Sequence, residues 1–375
     1  MNRITTMAIA SAAVLGIVGG TYAASSGILE GDDQGAKSSS GSTESGGTPT
    51  TGTDTPTGEP STTPDEGQSS DQAPDSNQGE LLYLEGGTLH DGDTEVLVSG
   101  FKVADVVGLH RVAGGWLVVE SLSPQVPDYR ATFVDPDGAT TPIGELFGPY
   151  DVNTDGDSLV AKFKDADTYQ VRDARSGEVT DTIGVKAKGD PVGGAVFANR
   201  DDVITTWATT TADQTLIGWN LYDKSQFKVK DGFNPAGASP QGDLVASVET
   251  LSPWCLHGGA VIGEDKWWKN CDIRPNGALA QFSPDGTEIL GIPQQTEGFG
   301  PVEFLVIDSS TGKQTDLIKA PELAATAEWA TNDAIFVHAY KDSDFNGGVI
   351  YRCTLKGECE VEVDSDRAVV LGSAG

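Results

Sequence analysis

The chain has 375 residues, of which 24 are basic and 56 acidic, giving a net charge of −32. This charge is unevenly spread, with +1 on residues 1–24, −10 on residues 25–80 and −23 on residues 81–375. So acidic a surface lacks the clustered lysine and arginine that bind phosphates, which excludes a nucleic-acid partner and disfavours anionic lipid.

The N-terminal segment, residues 1–24, is typical of an export signal. It carries no charge from Ile4 to Ala23, follows Arg3, and ends in small residues that suit a signal-peptidase site. An uncleaved signal anchor is the alternative, because about 20 uncharged residues can just cross a bilayer. Both readings place the rest of the chain outside the cytoplasm, either secreted or anchored to the cell membrane by residues 4–23. We expect no other membrane contact.

Residues 25–80 form an acidic low-complexity segment. Of these 56 residues, 35 are Gly, Ser, Thr or Pro, and none is aromatic. Such a composition cannot bury enough apolar surface to offset the entropy of ordering the chain. The sequence therefore predicts a disordered linker between the export signal and a folded domain at residues 81–375.

A repeat of about 44 residues runs through residues 81–375. Its clearest copy is Phe282-Ser283-Pro284-Asp285-Gly286, followed by the apolar Ile289-Leu290. Related tight turns recur every 41–47 residues, and a second turn family from Gly92 to Gly357 falls between them. Asp-Gly and Pro-Asp-Gly favour hairpin turns, because glycine tolerates positive φ and aspartate bonds its own backbone. Two hairpin turns per repeat give four strands per unit.

This period predicts an all-β fold, a seven-bladed β-propeller of four-stranded blades. Seven copies of the second turn give the blade count. Short strands are expected near Leu82–Glu85, Thr88–His90 and Glu95–Val98, and a lone strand at Ala368–Leu371. Pairing of that last strand with the first three would close the ring and leave no open sheet edge. The helix-like composition of residues 321–330 falls where a first strand is needed.

The motif at residues 282–286 resembles the signature of TolB-like propeller repeats, which are distant relatives of WD-repeat propellers. Ser239-Pro240-Gln241-Gly242 is a weaker copy of it. The resemblance covers residues 81–375 through period and turns, although only one blade carries the full motif. It implies a propeller fold and, since members of such families mostly act as binding platforms, a binding role.

The four cysteines are expected to form two disulfides, as an even number does in an exported protein. Cys255 and Cys271 are symmetric about one predicted hairpin turn, and Cys353 and Cys359 about another. Residues symmetric about a hairpin turn lie opposite each other, at a separation that suits a disulfide.

A calcium loop is a further hypothesis for residues 151–156. Asp151, Asn153 and Asp155 offer alternate oxygens before Gly156, as in the first half of an EF-hand loop. However, Lys162 stands where that loop requires glutamate. A solvated Asp-Gly hairpin turn is the alternative. No other cofactor is indicated.

Candidate binding residues come from the connections between the second and third strands of each unit. Four such loops are predicted to be long, at Ser123–Tyr129, Trp207–Gln214, Gln294–Val302 and Lys341–Gly348. Long loops on a rigid scaffold commonly carry function. Their aromatic and acidic side chains suit a cationic or polar small ligand, or a protein partner: Asp128, Tyr129, Trp207, Glu297, Phe299, Asp342, Asp344 and Phe345.

The sequence thus predicts an exported, monomeric propeller that acts without catalysis as a binding or protein-interaction module at the cell envelope. The alternative is an extracytoplasmic hydrolase or lyase with acidic residues at the mouth of the propeller channel. Two carboxylates facing each other in one pocket would favour the enzyme. Asp342 and Asp344 are the first pair to test.

Overall fold

The computed structural model describes residues 79–123, 126–186, 189–210, 213–231, 233–249, 255–262, 266–277, 279–294 and 300–373. The predicted export signal and almost all of the predicted linker lie outside these residues. Within them the fold is all-β, as predicted, and the one helical element is a 3₁₀ turn at Val103–Asp105. None of the described segments contains a helix long and apolar enough to cross a membrane.

The described residues form 28 strands. The first fourteen are β1 Leu82–Glu85, β2 Thr88–Asp91, β3 Thr94–Leu97, β4 Val106–Val112, β5 Gly115–Ser121, β6 Asp128–Val134, β7 Thr140–Val152, β8 Ser158–Phe163, β9 Tyr169–Asp173, β10 Val179–Thr182, β11 Asp190–Phe197, β12 Asp202–Thr210, β13 Asp213–Asn220 and β14 Gln226–Asp231. The remainder are β15 Phe233–Ala238, β16 Leu244–Glu249, β17 Leu256–Ala260, β18 Trp268–Asn270, β19 Ile273–Pro275, β20 Gln281–Phe282, β21 Glu288–Pro293, β22 Glu303–Asp308, β23 Gln314–Lys319, β24 Ala324–Thr331, β25 Ala334–Ala339, β26 Gly348–Thr354, β27 Cys359–Ser365 and β28 Val369–Leu371.

These strands form antiparallel sheets that follow one another along the chain. Their strand orders are β28-β1-β2-β3, β10-β9-β8-β7-β6-β5-β4, β11-β12-β13-β14, β15-β16-β17-β18, β19-β21-β22-β23 with β20 also paired to β21, and β24-β25-β26-β27. The last strand, β28, pairs with the first strand, β1, with Leu84 opposite Val370. The predicted short strands at both ends of the domain are confirmed, and the helix-like residues near 321–330 form β24.

Strand β7 is shared between two sets of partners. Its first part pairs with β6, with Thr140 opposite Val134, and its last part pairs with β8, with Val152 opposite Leu159. The register shifts between Phe147 and Asp151. Because β7 pairs with both β6 and β8, two four-stranded groups are joined into one seven-stranded sheet.

The recurring turn is held by a side chain that bonds the backbone. Ser283 Oγ accepts the N–H of Glu288 at 3.0 Å, and the N–H of Gly286 bonds the Ser283 carbonyl at 2.8 Å. Gly286 has a φ of +72°, a conformation in which glycine carries no steric cost. The weaker copy at Ser239 makes the same two bonds, so the sequence signature corresponds to one local geometry.

The hydrophobic core lies between consecutive sheets. One cluster joins Val160 of β8 to Val203 of β12, and another joins Leu290 of β21 to Ile335 of β25. Second strands are the most buried, and all six residues of β25 are buried. The fourth strands β10 and β27 are mostly exposed. The buried side chains therefore come mainly from the first three strands of each unit.

The first strands of consecutive four-stranded groups contact one another in the interior. The contacts include Ser373 N to the Leu109 carbonyl at 2.8 Å, His110 Nε2 to the Tyr150 hydroxyl at 3.0 Å, Phe197 N to Asp151 Oδ2 at 2.9 Å, Gly193 against Asn234, Ala280 N to the Ala236 carbonyl, Gln281 Nε2 to Glu328 Oε1 at 2.8 Å, and Ala330 packed with Val369 and Leu371. A Cβ on Gly193 would stand 2.5 Å from Asn234 Oδ1, so glycine permits this close approach.

Both predicted disulfides are confirmed. Cys353 and Cys359 are direct partners in the β26–β27 ladder, with their Cα atoms 4.0 Å apart. Cys255 and Cys271 are bonded with Cα atoms 4.1 Å apart, next to the pair formed by Leu256 and Asn270. Each bridge joins neighbouring strands of one sheet. Two intact disulfides are typical of proteins that fold in an oxidising compartment.

Candidate functional site

The connection between β5 and β6 places Asp128 and Tyr129 at the start of β6. Asp128 accepts a hydrogen bond from Lys164 Nζ at 3.0 Å, and Lys164 also lies 3.3 Å from Glu145. The bond from Asp128 is the main reason that the pKa of Lys164 is raised. Glu145, Lys164 and Asp165 line a shallow surface depression. Asp128 is therefore part of an ion-paired patch that lies where β5 connects to β6 and β8 connects to β9.

Tyr129 extends from this patch toward the interior. Its ring meets Tyr150 edge to face, with centroids 6.3 Å apart. Burial, followed by the nearby charge of Asp128, raises the pKa of the Tyr129 hydroxyl. The hydroxyl is therefore neutral at physiological pH and able to donate a hydrogen bond. Tyr129 therefore links the ion-paired patch at Asp128 to the interior of the fold.

Trp207 does not lie in a loop, so its predicted position was wrong. It belongs to β12 and is only 7 % exposed. Its Nε1 donates to Thr205 Oγ1 at 2.9 Å, and its ring meets Tyr169 edge to face. The β12 and β13 strands continue to Thr210 and Asp213, which face each other. Most of the predicted loop Trp207–Gln214 is thus strand, and Trp207 is a core residue.

The connection between β25 and β26 holds Asp342, Asp344 and Phe345. Asp342 Oδ1 accepts the backbone N–H groups of Asp344 at 2.9 Å and Asn346 at 3.1 Å. These bonds, chiefly the one from Asn346, lower the pKa of Asp342. Asp342 therefore organises its own loop as a charged carboxylate. Phe345 is 36 % exposed, and its ring meets Tyr340 edge to face.

Glu297 and Phe299 lie outside the described residues. The other predicted loop residues form two groups, Asp128 with Tyr129 and Asp342 with Phe345, and no contact between the groups is recorded in the described part of the chain. Their role in binding stays a prediction.

The three residues of the calcium hypothesis have separate partners. Both oxygens of Asp151 accept backbone N–H groups, from Val152 and from Phe197, each at 2.9 Å. Asn153 Oδ1 accepts two N–H groups of its own hairpin turn, which is the bonding of the alternative interpretation. Asp155 pairs with Arg200 at 3.2 Å. Each of the three side chains thus has a protein partner of its own. In the segments that it describes, no three His, Cys, Asp or Glu side chains are grouped as a metal site.

Two hydrogen-bonded polar pairs that the sequence did not reveal lie on the first strands. We call His110, Tyr150, Gln281 and Glu328 the first-strand cluster; they come from β4, β7, β20 and β24. All four side chains are half-buried. Burial lowers the pKa of His110 to about 4, so its ring is neutral at pH 7. Its Nε2 shares a hydrogen bond with the Tyr150 hydroxyl.

Glu328 is the acidic member of the first-strand cluster. Burial raises its pKa to about 8, which the hydrogen bond from Gln281 only partly offsets. Burial is also the main reason that the pKa of Tyr150 is raised, and the charges of Asp151 and Glu328 contribute. Glu328 is therefore close enough to act on Tyr150 across the interior. A sequence signal did exist, since Glu328 is the single charge within the apolar run of β24.

Comparisons with known proteins find similarity only to solved structures. No family model matches the chain, and no curated protein matches it. Among solved structures it is similar to TolB from Acinetobacter baumannii, at 13 % identity and a TM-score of 0.41, over 65 % of this chain and 63 % of that one. It therefore spans less than two thirds of that TolB chain.

Two further structures show the same kind of similarity. A putative TolB from Agrobacterium tumefaciens is 10 % identical with a TM-score of 0.43, over 61 % of this chain and 87 % of that one. A chain of the mitotic checkpoint complex is 10 % identical with a TM-score of 0.48, over 81 % of this chain and 86 % of that one. The predicted resemblance to TolB-like β-propellers is confirmed at the level of fold, and it says nothing of ligand or partner.

Proposed function

We propose that the chain is an exported, non-catalytic seven-bladed β-propeller that acts as a binding or protein-interaction module at the cell envelope. The blade count is supported by counting β7 twice, because it pairs with β6 and then with β8. Ring closure by the C-terminal strand is supported by the β28–β1 ladder and by the contacts between successive first strands. Export is supported by the uncharged N-terminal segment and the two disulfides.

The binding surface that we propose is the loop face, the end where second strands connect to third strands. Antiparallel pairing puts these connections opposite the tight turns that join first to second and third to fourth strands. The observation that carries the proposal is the exposure of large apolar side chains on these connections, beside carboxylates: Leu122, Val126, Val302 and Phe345. Exposed apolar side chains ringed by polar groups mark interaction surfaces.

The charge of the domain indicates what kind of partner this face would accept. Residues 81–375 carry a net charge of −23, and Lys164 and Lys341 at the loop end are each already paired with two carboxylates. The surface potential therefore favours a partner with a cationic contact region. We propose a protein with exposed lysine or arginine as the partner.

The test compares two exposed aromatic residues at opposite ends of the fold. Phe345→Ser, on the loop face, is expected to reduce capture of a partner from envelope extract at least tenfold, because aromatic anchors supply much of the energy of an interface. Tyr222→Ser is the matched control, because Tyr222 is 89 % exposed and lies at a third-to-fourth-strand turn. Captured protein is quantified by mass spectrometry against the wild-type full chain. Equal loss with both variants, or loss with Tyr222→Ser alone, would refute the loop face as the binding surface.

One observation favours the alternative, an extracytoplasmic hydrolase or lyase. The first-strand cluster holds a carboxyl of raised pKa and a neutral histidine bonded to a tyrosine, and groups of perturbed pKa are common in catalytic sites. The predicted pair Asp342 and Asp344 does not supply this chemistry. An enzyme would therefore have to use Glu328, and turnover lost in Glu328→Gln but kept in Asp342→Asn would support it.

A further inference from the structure

We propose that the first-strand cluster is a receptor for a primary ammonium group, the end of a lysine side chain of the partner. This inference rests on the proposed function, since it names the group by which a cationic partner would be held. It assigns Glu328 as the counter-ion, with Gln281 as a hydrogen-bond partner of the ammonium.

The first argument is a buried hydrogen-bond acceptor without a partner among the described residues. Gln281 Nε2 donates to Glu328 Oε1 at 2.8 Å, which orients the amide. Its other end, Gln281 Oε1, is buried and has no hydrogen-bond partner in the described part of the chain. An unpaired buried acceptor costs free energy that a bound donor would recover. The oxygen therefore favours a ligand that donates.

The second argument is the number and type of acceptors. Besides Gln281 Oε1, the hydrogen-bonded pair of Gln281 and Glu328 offers the second carboxylate oxygen of Glu328. A primary ammonium has only donors and no acceptor, which matches a set made of acceptors. A multivalent metal would need more charged ligands. The described residues contain no group of three His, Cys, Asp or Glu side chains that could hold a metal ion.

The third argument is charge. Glu328 is half-buried with no cationic side chain recorded beside it in the described segments, and its ionised form is penalised by burial alone. The other titratable groups around Tyr150 are His110, Tyr129 and Asp151, none of which is a cation at pH 7. A ligand cation would supply the missing counter-charge, and the acidic domain would attract it.

Proton release is a direct consequence of this arrangement. At pH 7 the Glu328 carboxyl is largely protonated in the free protein, because its pKa is about 8. An ammonium beside it stabilises the carboxylate, so binding displaces the proton to the buffer. We expect more than half a proton released per ligand at pH 7. Calorimetry in buffers of different ionisation enthalpy measures this number.

The experiment titrates the full chain with Nα-acetyl-lysine methylamide and with two controls. The neutral isostere Nα-acetyl-norleucine methylamide tests charge, and 1,5-diaminopentane tests whether a free amine is bound instead of a side chain. The lysine derivative is expected to bind at least tenfold more tightly than norleucine, and Glu328→Gln to weaken it at least tenfold. Tighter binding of the diamine would support the same ammonium site with a free amine as its source.

Matched variants separate this inference from the proposed function. Glu358→Gln removes an exposed carboxylate from the turn between β26 and β27 and should leave lysine binding unchanged. Equal binding of lysine and norleucine derivatives, binding without proton release, or binding unaffected by Glu328→Gln would overturn the ammonium site. If Glu328→Gln still captures the partner while Phe345→Ser does not, the ammonium site is refuted and the interaction module stands.

Discussion

Deleting residues 369–375 is expected to unfold the domain or to lower its melting temperature by more than 10 °C. The deletion removes β28, whose Val369 and Leu371 are buried, and exposes the edge of β1 that pairs with it. Each buried aliphatic side chain contributes about 1.5–3 kcal/mol, and total stability is only about 5–15 kcal/mol. An open edge would also invite aggregation. Differential scanning calorimetry of the truncated and full chains measures the loss.

A synthetic peptide of residues 366–375 serves as the control for this deletion. Added to the truncated chain, it should restore part of the lost stability, because it can re-form the ladder in which Leu84 faces Val370. Deletion of residues 374–375 alone keeps β28 and the bond from Ser373 N to Leu109, and should have little effect. Melting of the 369–375 deletion within two degrees of the full chain would mean that β28 does not close the fold.

Replacing Glu328 by glutamine is expected to stabilise the protein at alkaline pH. The folded-state pKa of Glu328 is raised to about 8, above its ordinary value, so its contribution to stability is complete below about pH 4.5 and is lost as the pH rises through 8. Glutamine keeps the shape and cannot ionise. At pH 8 the variant should be more stable by roughly 4 kcal/mol, or about 5–10 °C in melting temperature.

The pH dependence of the difference is the decisive readout. The gap between Glu328→Gln and wild type should shrink as the pH falls and vanish or reverse near pH 4.5. The other buried groups, including His110, His338 and Asp151, titrate in both proteins and cancel. Glu322→Gln, at an exposed position before β24, is the matched control and should change the melting temperature little. A constant gap for Glu328→Gln would show that its carboxyl is not held neutral by burial.

The repeat could be predicted because its turns are local chemistry. Ser283 and Gly286 determine one turn with their own side chain and φ, so the geometry can be inferred from five consecutive residues. The cysteine pairing followed from the same hairpins, since Cys353 and Cys359 face each other across one of them. Local features of this kind can be predicted without knowledge of tertiary contacts.

The candidate site could be predicted less well from the sequence, because it depends on contacts between distant strands. His110 and Tyr150 are 40 residues apart, and Gln281 and Glu328 are 47 apart, so no sequence spacing marks either pair. Trp207 was predicted to lie in a loop, yet β12 continues beyond it to Thr210. Its place is set by packing against Tyr169 of the preceding sheet.

The roles that we propose for the loop face and for the first-strand cluster both assume the closed seven-bladed ring that we propose. Electron microscopy of the full chain tests this directly, because a propeller viewed along its axis shows its blades as lobes around a central channel. We predict class averages with seven lobes in a closed ring. Six or eight lobes, or an open arc with a gap between β28 and β1, would contradict the account.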